Sequence, residues 1–154
     1  MPLQHIEHFL IQTSDMEKTR EWYKRVLGLQ DGPAPDFRFP VCWLYIGGRD
    51  VIHIAEGGAK TGENRRRYLG QQSGDVKGSG AVDHIAFRCT GLKATIDHLR
   101  EQGIAFRERM VSDQGLYQLF LMDPNDIKIE LNFANSEAIE SGIRPELMAS
   151  DLAG

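Results

Sequence analysis

The sequence predicts an α+β fold made of two tandem βαβββ units. Residues 6–13 (IEHFLIQT) and 82–89 (VDHIAFRC) are strand-like segments whose third residue is a histidine, His8 in the first and His84 in the second. Each segment precedes a helical pattern and then three more strand-like segments. A pattern that returns after 76 residues indicates that one structural unit occurs twice.

Length and composition predict a single globular domain over residues 1–154. A chain of 154 residues can bury its own core, and its 26% charged and 41% hydrophobic residues are not those of a disordered chain. A net charge of −4 argues against a dedicated nucleic-acid binder, and no apolar run approaches the ~20 residues of a membrane span. The first residues lack an export signal, and Cys42 and Cys89 lie in apolar strand patterns. We therefore expect a cytoplasmic protein with reduced cysteines.

The first unit opens with a strand over residues 5–13. Asp15 is suited to cap the helix that follows, because its side chain can accept a hydrogen bond from the first helical turn. Apolar residues recur at helical spacing up to Gly28, which ends the helix. Two interpretations fit the adjacent aromatic residues Trp22 and Tyr23: they stack on a ligand, or they pack the helix on the sheet. Packing is the expected role.

Three further segments complete the first unit, which spans about residues 3–56. Residues 31–40 contain three prolines and a glycine, which predicts an irregular or edge segment. Residues 41–46 (VCWLYI) have the composition of a strand, and a tight turn over residues 47–50 leads into the last strand, residues 51–56. This order of elements gives one complete βαβββ unit.

A long connection follows at residues 57–80, and it breaks the pattern. The segment is rich in glycine, has almost no apolar periodicity and contains Arg65, Arg66 and Arg67 in succession. A connection of this length is usually functional or a linker. The three arginines either hold an anionic substrate or belong to a solvated loop, and the solvated loop is the expected arrangement.

The second unit is predicted to span about residues 81–133 and to repeat the first. Leu92, Ile96 and Leu99 recur at helical spacing and mark the buried side of its helix. Gly103 is expected to end the helix before the next strand. The three strands after this helix are expected at residues 104–110, 116–122 and 127–133. From residue 134 to residue 154 we expect an appended helical tail without a counterpart in the first unit.

Two matched pairs of residues are candidates for metal ligands. His8 and His84 stand opposite the core faces of their strands, where a single histidine would more often be a packed residue than a ligand. The closing strands carry a second matched pair, His53 and Glu130, 77 residues apart. A glutamate within a sheet is costly unless it has a partner, so Glu130 is an exposed edge residue, a member of an ion pair or a ligand. The repeat favours a metal site made by His8, His53, His84 and Glu130.

The ligand types limit the metal and its chemistry. Imidazole and carboxylate together suit iron or another divalent first-row metal, here nickel, zinc, manganese or cobalt. Glu130 is the first candidate for the group that moves a proton during catalysis. His53 has three open roles: a direct ligand, a proton shuttle beside the metal or a packing residue.

Several segments together resemble the vicinal oxygen chelate superfamily, over residues 3 to about 133. They are the opening His8, residues 22–29 (WYKRVLGL), residues 83–87 (DHIAF) and residues 123–131 (DPNDIKIEL). This superfamily includes glyoxalase I, bleomycin-resistance proteins, fosfomycin-modifying thiol transferases, methylmalonyl-CoA epimerase and extradiol dioxygenases. The resemblance implies two units that form an incomplete, cup-shaped β-barrel around a metal. Carried over by position, the metal ligands are His8, His53, His84 and Glu130.

The resemblance leaves the reaction open among three classes. The leading expectation is a lyase or isomerase like glyoxalase I, acting on a small substrate chelated through neighbouring oxygens, although glyoxalase I usually has a glutamate where this chain has His53. An Fe(II) extradiol dioxygenase is the alternative, but Phe120 stands where that signature has a tyrosine, and no histidine lies between His98 and Glu130. A drug- or ligand-binding protein without activity is the third class. We also expect a homodimer, the commonest closed assembly.

Overall fold

A computed structural model describes residues 4–69 and 75–148 of the chain. The chain divides into two compact units, Met1–Gly78 and Ser79–Gly154, so the boundary falls inside the predicted connection. Each unit contains one complete βαβββ motif, which confirms the predicted duplication. Parts of the predicted connection and tail, residues 70–74 and 149–154, lie outside the described residues.

The first unit is a four-stranded sheet with one long helix. Its strands follow the order β1-β4-β3-β2, in which β1 runs parallel to β4 and the other neighbours are antiparallel. A parallel pair needs a long crossover, and the helix together with the intervening strands provides it. The elements are β1 (Phe9–Thr13), α1 (Met16–Leu27), β2 (Gln30–Gly32), β3 (Val41–Ile46) and β4 (Arg49–Glu56).

Helix α1 begins and ends where the sequence predicts. The Asp15 side chain accepts a hydrogen bond from the Lys18 amide at 3.0 Å, and Gly28 adopts a left-handed φ of 75° that other residues rarely take. Trp22 and Tyr23 are both buried in the core, which agrees with their predicted packing role.

The hairpin between β3 and β4 is tighter than predicted. Ile46 pairs with Arg49, so the turn consists of Gly47 and Gly48 alone, and both have positive φ. Two positive-φ residues form the turn whose twist matches that of paired strands. Strand β4 therefore begins two residues earlier than expected and includes Asp50.

The connection after β4 contains regular structure that the sequence did not predict. A 3₁₀ turn covers Gly58–Lys60, and helix α2 covers Glu63–Leu69. Arg66 and Arg67 are exposed as expected, but Arg65 is 3% exposed, so the prediction of a solvated arginine run is wrong at this residue. The physical reason is a long-range contact: Arg65 Nη1 donates to the carbonyl oxygen of Glu56 at 2.7 Å.

The second unit repeats this arrangement and adds a strand. Its sheet has the order β5-β8-β7-β6-β9, with β5 parallel to β8, and the residues predicted to bury its helix are buried. The tail is not helical throughout, because a two-residue strand pairs with β6 in parallel. The elements are β5 (His84–Arg88), α3 (Leu92–Glu101), β6 (Arg107–Val111), β7 (Leu116–Met122), β8 (Lys128–Ala134), α4 (Asn135–Ser141) and β9 (Leu147–Met148).

Both cysteines are free thiols, and neither is fully exposed. Burial raises the pKa of Cys42 to about 11 and also raises the pKa of Cys89, so both stay protonated and unreactive near neutral pH. In the part of the chain that the structure describes, no helix has the length and apolar character needed to cross a membrane.

Candidate functional site

Strand register places the candidate ligands at equivalent positions in the two sheets. In the first unit, His8 stands two residues before Leu10, the register partner of His53. In the second unit, His84 stands two residues before Ala86, the register partner of Glu130. Residues two apart on a strand share a face, so His84, the first residue of β5, faces the same side as Glu130. His8 stands one residue before β1, and its contact with the His53 ring places it beside its companion. The paired residues are Leu10 with His53 on β1 and β4, and Ala86 with Glu130 on β5 and β8.

In the first unit, His8 and His53 are in direct contact. Their rings stack with centroids 3.7 Å apart and planes 18° apart. The Trp43 ring covers the other side of His53 at 3.9 Å, almost parallel to it, because Trp43 on β3 pairs with His53 on β4. The result is a stack of three rings in which His53 is 7% exposed and His8 is more open to solvent.

Asp50 belongs to the same cluster, and sequence reasoning missed it. Its Oδ2 lies 2.6 Å from Nε2 of His53. On a regular strand, residues three apart face opposite sides, so alternation would separate the two side chains. The ladder between β3 and β4 is irregular between Leu44 and Tyr45, and Tyr45 is the partner of Asp50. His8, Asp50 and His53 each offer a ligand atom, and these atoms lie within 4.8 Å of one another.

Burial and hydrogen bonding set the protonation of this cluster. Burial lowers the pKa of His53 below its ordinary value, although the Asp50 carboxylate acts in the opposite direction. The hydrogen bond to His53 lowers the pKa of Asp50, so its carboxyl stays ionised. A neutral imidazole that donates from Nε2 to Asp50 keeps the lone pair on Nδ1, and a neutral imidazole is the form that binds a metal.

In the second unit, His84 and Glu130 are also in contact. His84 Nε2 lies 3.2 Å from Glu130 Oε2. Two ligand atoms at about 2.1 Å from one ion and at right angles to each other are about 3 Å apart, so the observed spacing suits a shared ion. The other ring nitrogen of His84 lies 2.8 Å from Oδ2 of Asp83, which also accepts a hydrogen bond from Lys128 at 2.8 Å. Metal-binding histidines commonly have such a carboxylate partner.

Glu130 is buried, and a network of amide side chains holds its carboxylate. Its Oε1 accepts hydrogen bonds from Gln118 Nε2 at 2.9 Å and from Asn132 Nδ2 at 2.7 Å. Arg109 then donates from Nε and Nη2 to the Oε1 of Gln118. The network leaves Oε2 directed at His84. Glu130 is therefore not an exposed edge residue, and no Lys or Arg of the described residues pairs with it. Only their strand positions pointed to its amide partners in the sequence.

A cavity of about 290 Å³ opens beside the ring stack in the first unit. Its aromatic wall contains Phe37 and Phe39, whose rings are stacked 5.5 Å apart, and Phe37 lies 6.4 Å from Trp43. His8 and His53 also line the cavity. The prediction of an irregular segment at residues 31–40 is confirmed between β2 and β3, and its aromatic residues form this wall.

Solved structures with a similar fold have several different functions. A lactoylglutathione lyase from Agrobacterium tumefaciens has 17% identity and a TM-score of 0.59, with 86% of this chain and 96% of that chain covered. The fosfomycin resistance protein FosX from Listeria monocytogenes has 15% identity and a TM-score of 0.61, with 88% and 97% covered. The antibiotic-binding protein TnmS3 from Streptomyces sp. CB03234 has 18% identity and a TM-score of 0.61, with 87% and 98% covered.

At these identities the structural matches establish the fold alone. The sequence itself matches a family model over residues 5–131, which include all four candidate ligands and both βαβββ motifs apart from the last three residues of β8. This match spans most of the chain and agrees with the resemblance seen in the sequence motifs. The chain belongs to the Glyoxalase/Bleomycin resistance protein/Dioxygenase superfamily.

Proposed function

We propose that the protein is a divalent-metal-dependent enzyme that acts as a lyase or isomerase on a small substrate chelated through two neighbouring oxygens. The metal ligands are His8, His53, His84 and Glu130. The observation that carries the proposal is the 3.2 Å contact between His84 Nε2 and Glu130 Oε2. These two residues occupy positions in the second unit that correspond to those of His8 and His53 in the first. Members of this superfamily commonly use divalent metals and bind small molecules.

The side chains present fit a divalent ion. The donor set contains three imidazoles and one carboxylate, which suits iron, nickel, zinc, manganese or cobalt. Gln118 and Asn132 donate to Oε1 of Glu130 and thereby hold Oε2 in a fixed direction. Such support usually accompanies ligands rather than surface carboxylates.

The chain also offers groups for proton transfer. A bound divalent ion would supply Lewis-acid stabilisation of negative charge on a substrate oxygen. Because Asp50 holds Nε2 of His53, only its Nδ1 is available, and His53 either binds the ion through Nδ1 or acts from outside the ligand set as the base. In the second role its lowered pKa leaves Nδ1 free to accept a proton, and Asp50 stabilises the imidazolium that results. The carboxylate of Glu130, the first candidate from sequence, already accepts two amide hydrogen bonds at Oε1 and takes a proton only at Oε2.

A ligand-binding protein without catalytic activity is the second candidate function. The aromatic cavity beside His53 supports it, because stacked rings and a partly enclosed space suit retention of a planar compound. An extradiol dioxygenase has less support, since Phe120 is the residue that pairs with Glu130 on β7 and it has no hydroxyl group.

Metal content separates these candidates. Protein purified without chelators is expected to contain about one divalent ion per chain by elemental analysis, with iron favouring an oxygenase and nickel or zinc favouring a lyase or isomerase. We expect His84→Ala to lose most of this metal, because it removes one ligand and leaves Glu130 without its imidazole neighbour. The matched control is His5→Ala, an exposed histidine outside the candidate set. Wild-type protein that is folded but takes up no metal would favour the binding protein instead.

A homodimer is expected in solution. Large apolar side chains are exposed in both units, and such side chains often lie at subunit contacts. The measurement is light scattering at micromolar concentration on protein of known metal content. A monomer with full metal content would exclude any metal site shared between two chains. The exposed large apolar residues among those described are Ile6, Leu10, Ile46, Val82, Met122 and Ile139.

A further inference from the structure

Arg65 is a buried cation on the wall of the first unit's cavity. Its side chain is 3% exposed and lines the cavity together with the aromatic residues. Nη1 donates to the carbonyl oxygen of Glu56 at 2.7 Å, and Nη2 makes a long contact of 3.4 Å with the amide oxygen of Gln12. Its Nε is buried and has no hydrogen-bond partner among the residues that the structure describes. Within residues 4–69 and 75–148, no carboxylate forms an ion pair with this guanidinium.

An unpaired cation in this position is costly, which indicates that something else compensates it. Burial lowers the pKa of Arg65, and desolvation is the only cause of that shift. An arginine nevertheless keeps its charge near neutral pH, because its ordinary pKa is so high. Buried charges in proteins are normally paired or bound to an ion of opposite sign. An anion in the cavity would provide that pairing.

The other walls of the cavity select for a flat, unsaturated molecule. Phe37 and Phe39 are stacked, and Phe37 adjoins Trp43, which is itself stacked on His53. Aromatic rings of a ligand gain both buried area and stacking energy against such walls. A volume of about 290 Å³ is at the small end of ligand pockets and suits a compound with one or two rings.

We propose that this cavity binds a planar aromatic carboxylate, with its ring against Phe37 and Trp43 and its carboxylate paired with Arg65. A carboxylate matches the planar guanidinium, in which Nη1 and Nη2 each keep one N–H beyond those directed at Glu56 and Gln12. Glu7 also lines the cavity, but its side chain is 74% exposed, so its charge is screened by water.

This inference names a substrate class for the site described under the proposed function and rests on that function only for the catalytic role of the bound compound. Binding itself requires Arg65 and the aromatic wall, and no metal. The cavity and Arg65 both belong to the first unit. The site is therefore tested on metal-free full-length protein, and metal content is measured separately.

Arg65 also has a structural role to be distinguished from anion binding. Its bond to the Glu56 carbonyl oxygen ties α2 to the end of β4. A neutral donor would make the same bond at lower desolvation cost, so this role alone does not account for a full charge at the cavity wall. A structural role predicts a loss of thermal stability on substitution but no preference for charged over neutral ligands.

The experiment compares 2-naphthoate with 2-naphthamide, which share a ring system and differ in charge. Affinities are measured by calorimetry on metal-free wild-type protein. We expect 2-naphthoate to bind about tenfold to about a hundredfold more tightly than 2-naphthamide, which is the range for a charge-assisted hydrogen bond. Arg65→Met should remove this preference and Arg65→Lys should retain part of it. Arg66→Met and Arg67→Met, exposed neighbours in the same run, should leave the preference unchanged.

Equal binding of the two compounds by wild-type protein would overturn the proposal, as would a preference that survives in Arg65→Met. If Arg65→Met does not fold, the wild-type comparison and Arg65→Lys still decide.

The aromatic wall has its own test. Trp43→Leu should weaken the binding of 2-naphthoate more than the binding of cyclohexanecarboxylate, and an equal loss of affinity for both would contradict stacking. Wild-type protein that binds metal but not 2-naphthoate would overturn this inference alone. Wild-type protein that binds 2-naphthoate but takes up no metal would overturn the metal-dependent function alone.

Discussion

Replacing Glu130 by glutamine is expected to lower affinity for a first-row divalent ion by about a hundredfold or more, while the protein stays folded. Removing partners that merely orient a ligand already costs about 10–100-fold, and Glu130→Gln removes an anionic ligand itself. The glutamine carbonyl oxygen can still accept the hydrogen bonds that Gln118 and Asn132 now donate to Oε1. The substitution therefore changes the charge of the site and keeps the buried network satisfied.

Glu130→Ala is the less informative variant, because it combines two effects. Gln118 and Asn132 would each lose a buried acceptor, which costs about 1–3 kcal/mol per unsatisfied group. Metal affinity is measured by competition with a chromogenic chelator, and folding by thermal denaturation of the metal-free protein. Glu108→Gln, which neutralises another partly buried carboxyl of the second unit, is the matched control. Unchanged metal affinity in Glu130→Gln would remove Glu130 from the ligand set.

The duplicated fold could be predicted from the sequence because its signals are local or periodic. Alternation of apolar residues identified the main strands, and the N-cap at Asp15 and the stop at Gly28 fixed one helix. The repeat added the register: two similar sequences that fold in the same way place His53 and Glu130 at equivalent ladder positions. The sequence therefore named four residues, and within each unit the structure brings two of them into contact, His8 with His53 and His84 with Glu130.

The remaining features depend on contacts that local patterns do not encode. Asp50 approaches His53 because the strand ladder is irregular opposite it, and alternation assumes a regular ladder. Arg65 is buried because the end of β4 accepts its hydrogen bond, whereas a run of arginines normally predicts solvent exposure. Strand β9 has only two residues, too few for any periodicity. The amides that hold Glu130 become visible only once β7 and β8 are paired in register.

His53→Ala and His53→Gln together are expected to show whether His53 binds the metal directly. As a ligand, His53 contributes a neutral imidazole, and its lowered pKa means that protons compete with the metal only below the ordinary histidine range. Alanine should then cost about a hundredfold in metal affinity, and glutamine should restore part of it by coordinating through its amide oxygen. Full metal content in both variants would instead place His53 outside the ligand set, where it would serve as a proton shuttle or a packing residue.

The ring stack gives this prediction its control. His53 lies between His8 and Trp43, so alanine also leaves a gap in the stack and removes contacts worth about 0.5–1.5 kcal/mol per aromatic pair. Trp43→Leu disrupts the same stack without removing a candidate ligand. If His53 coordinates the metal, Trp43→Leu lowers the thermal stability of the metal-free protein but largely keeps its metal affinity. If Trp43→Leu weakens metal binding as much as His53→Ala does, the effect comes from lost packing, and the assignment of His53 as a ligand is wrong.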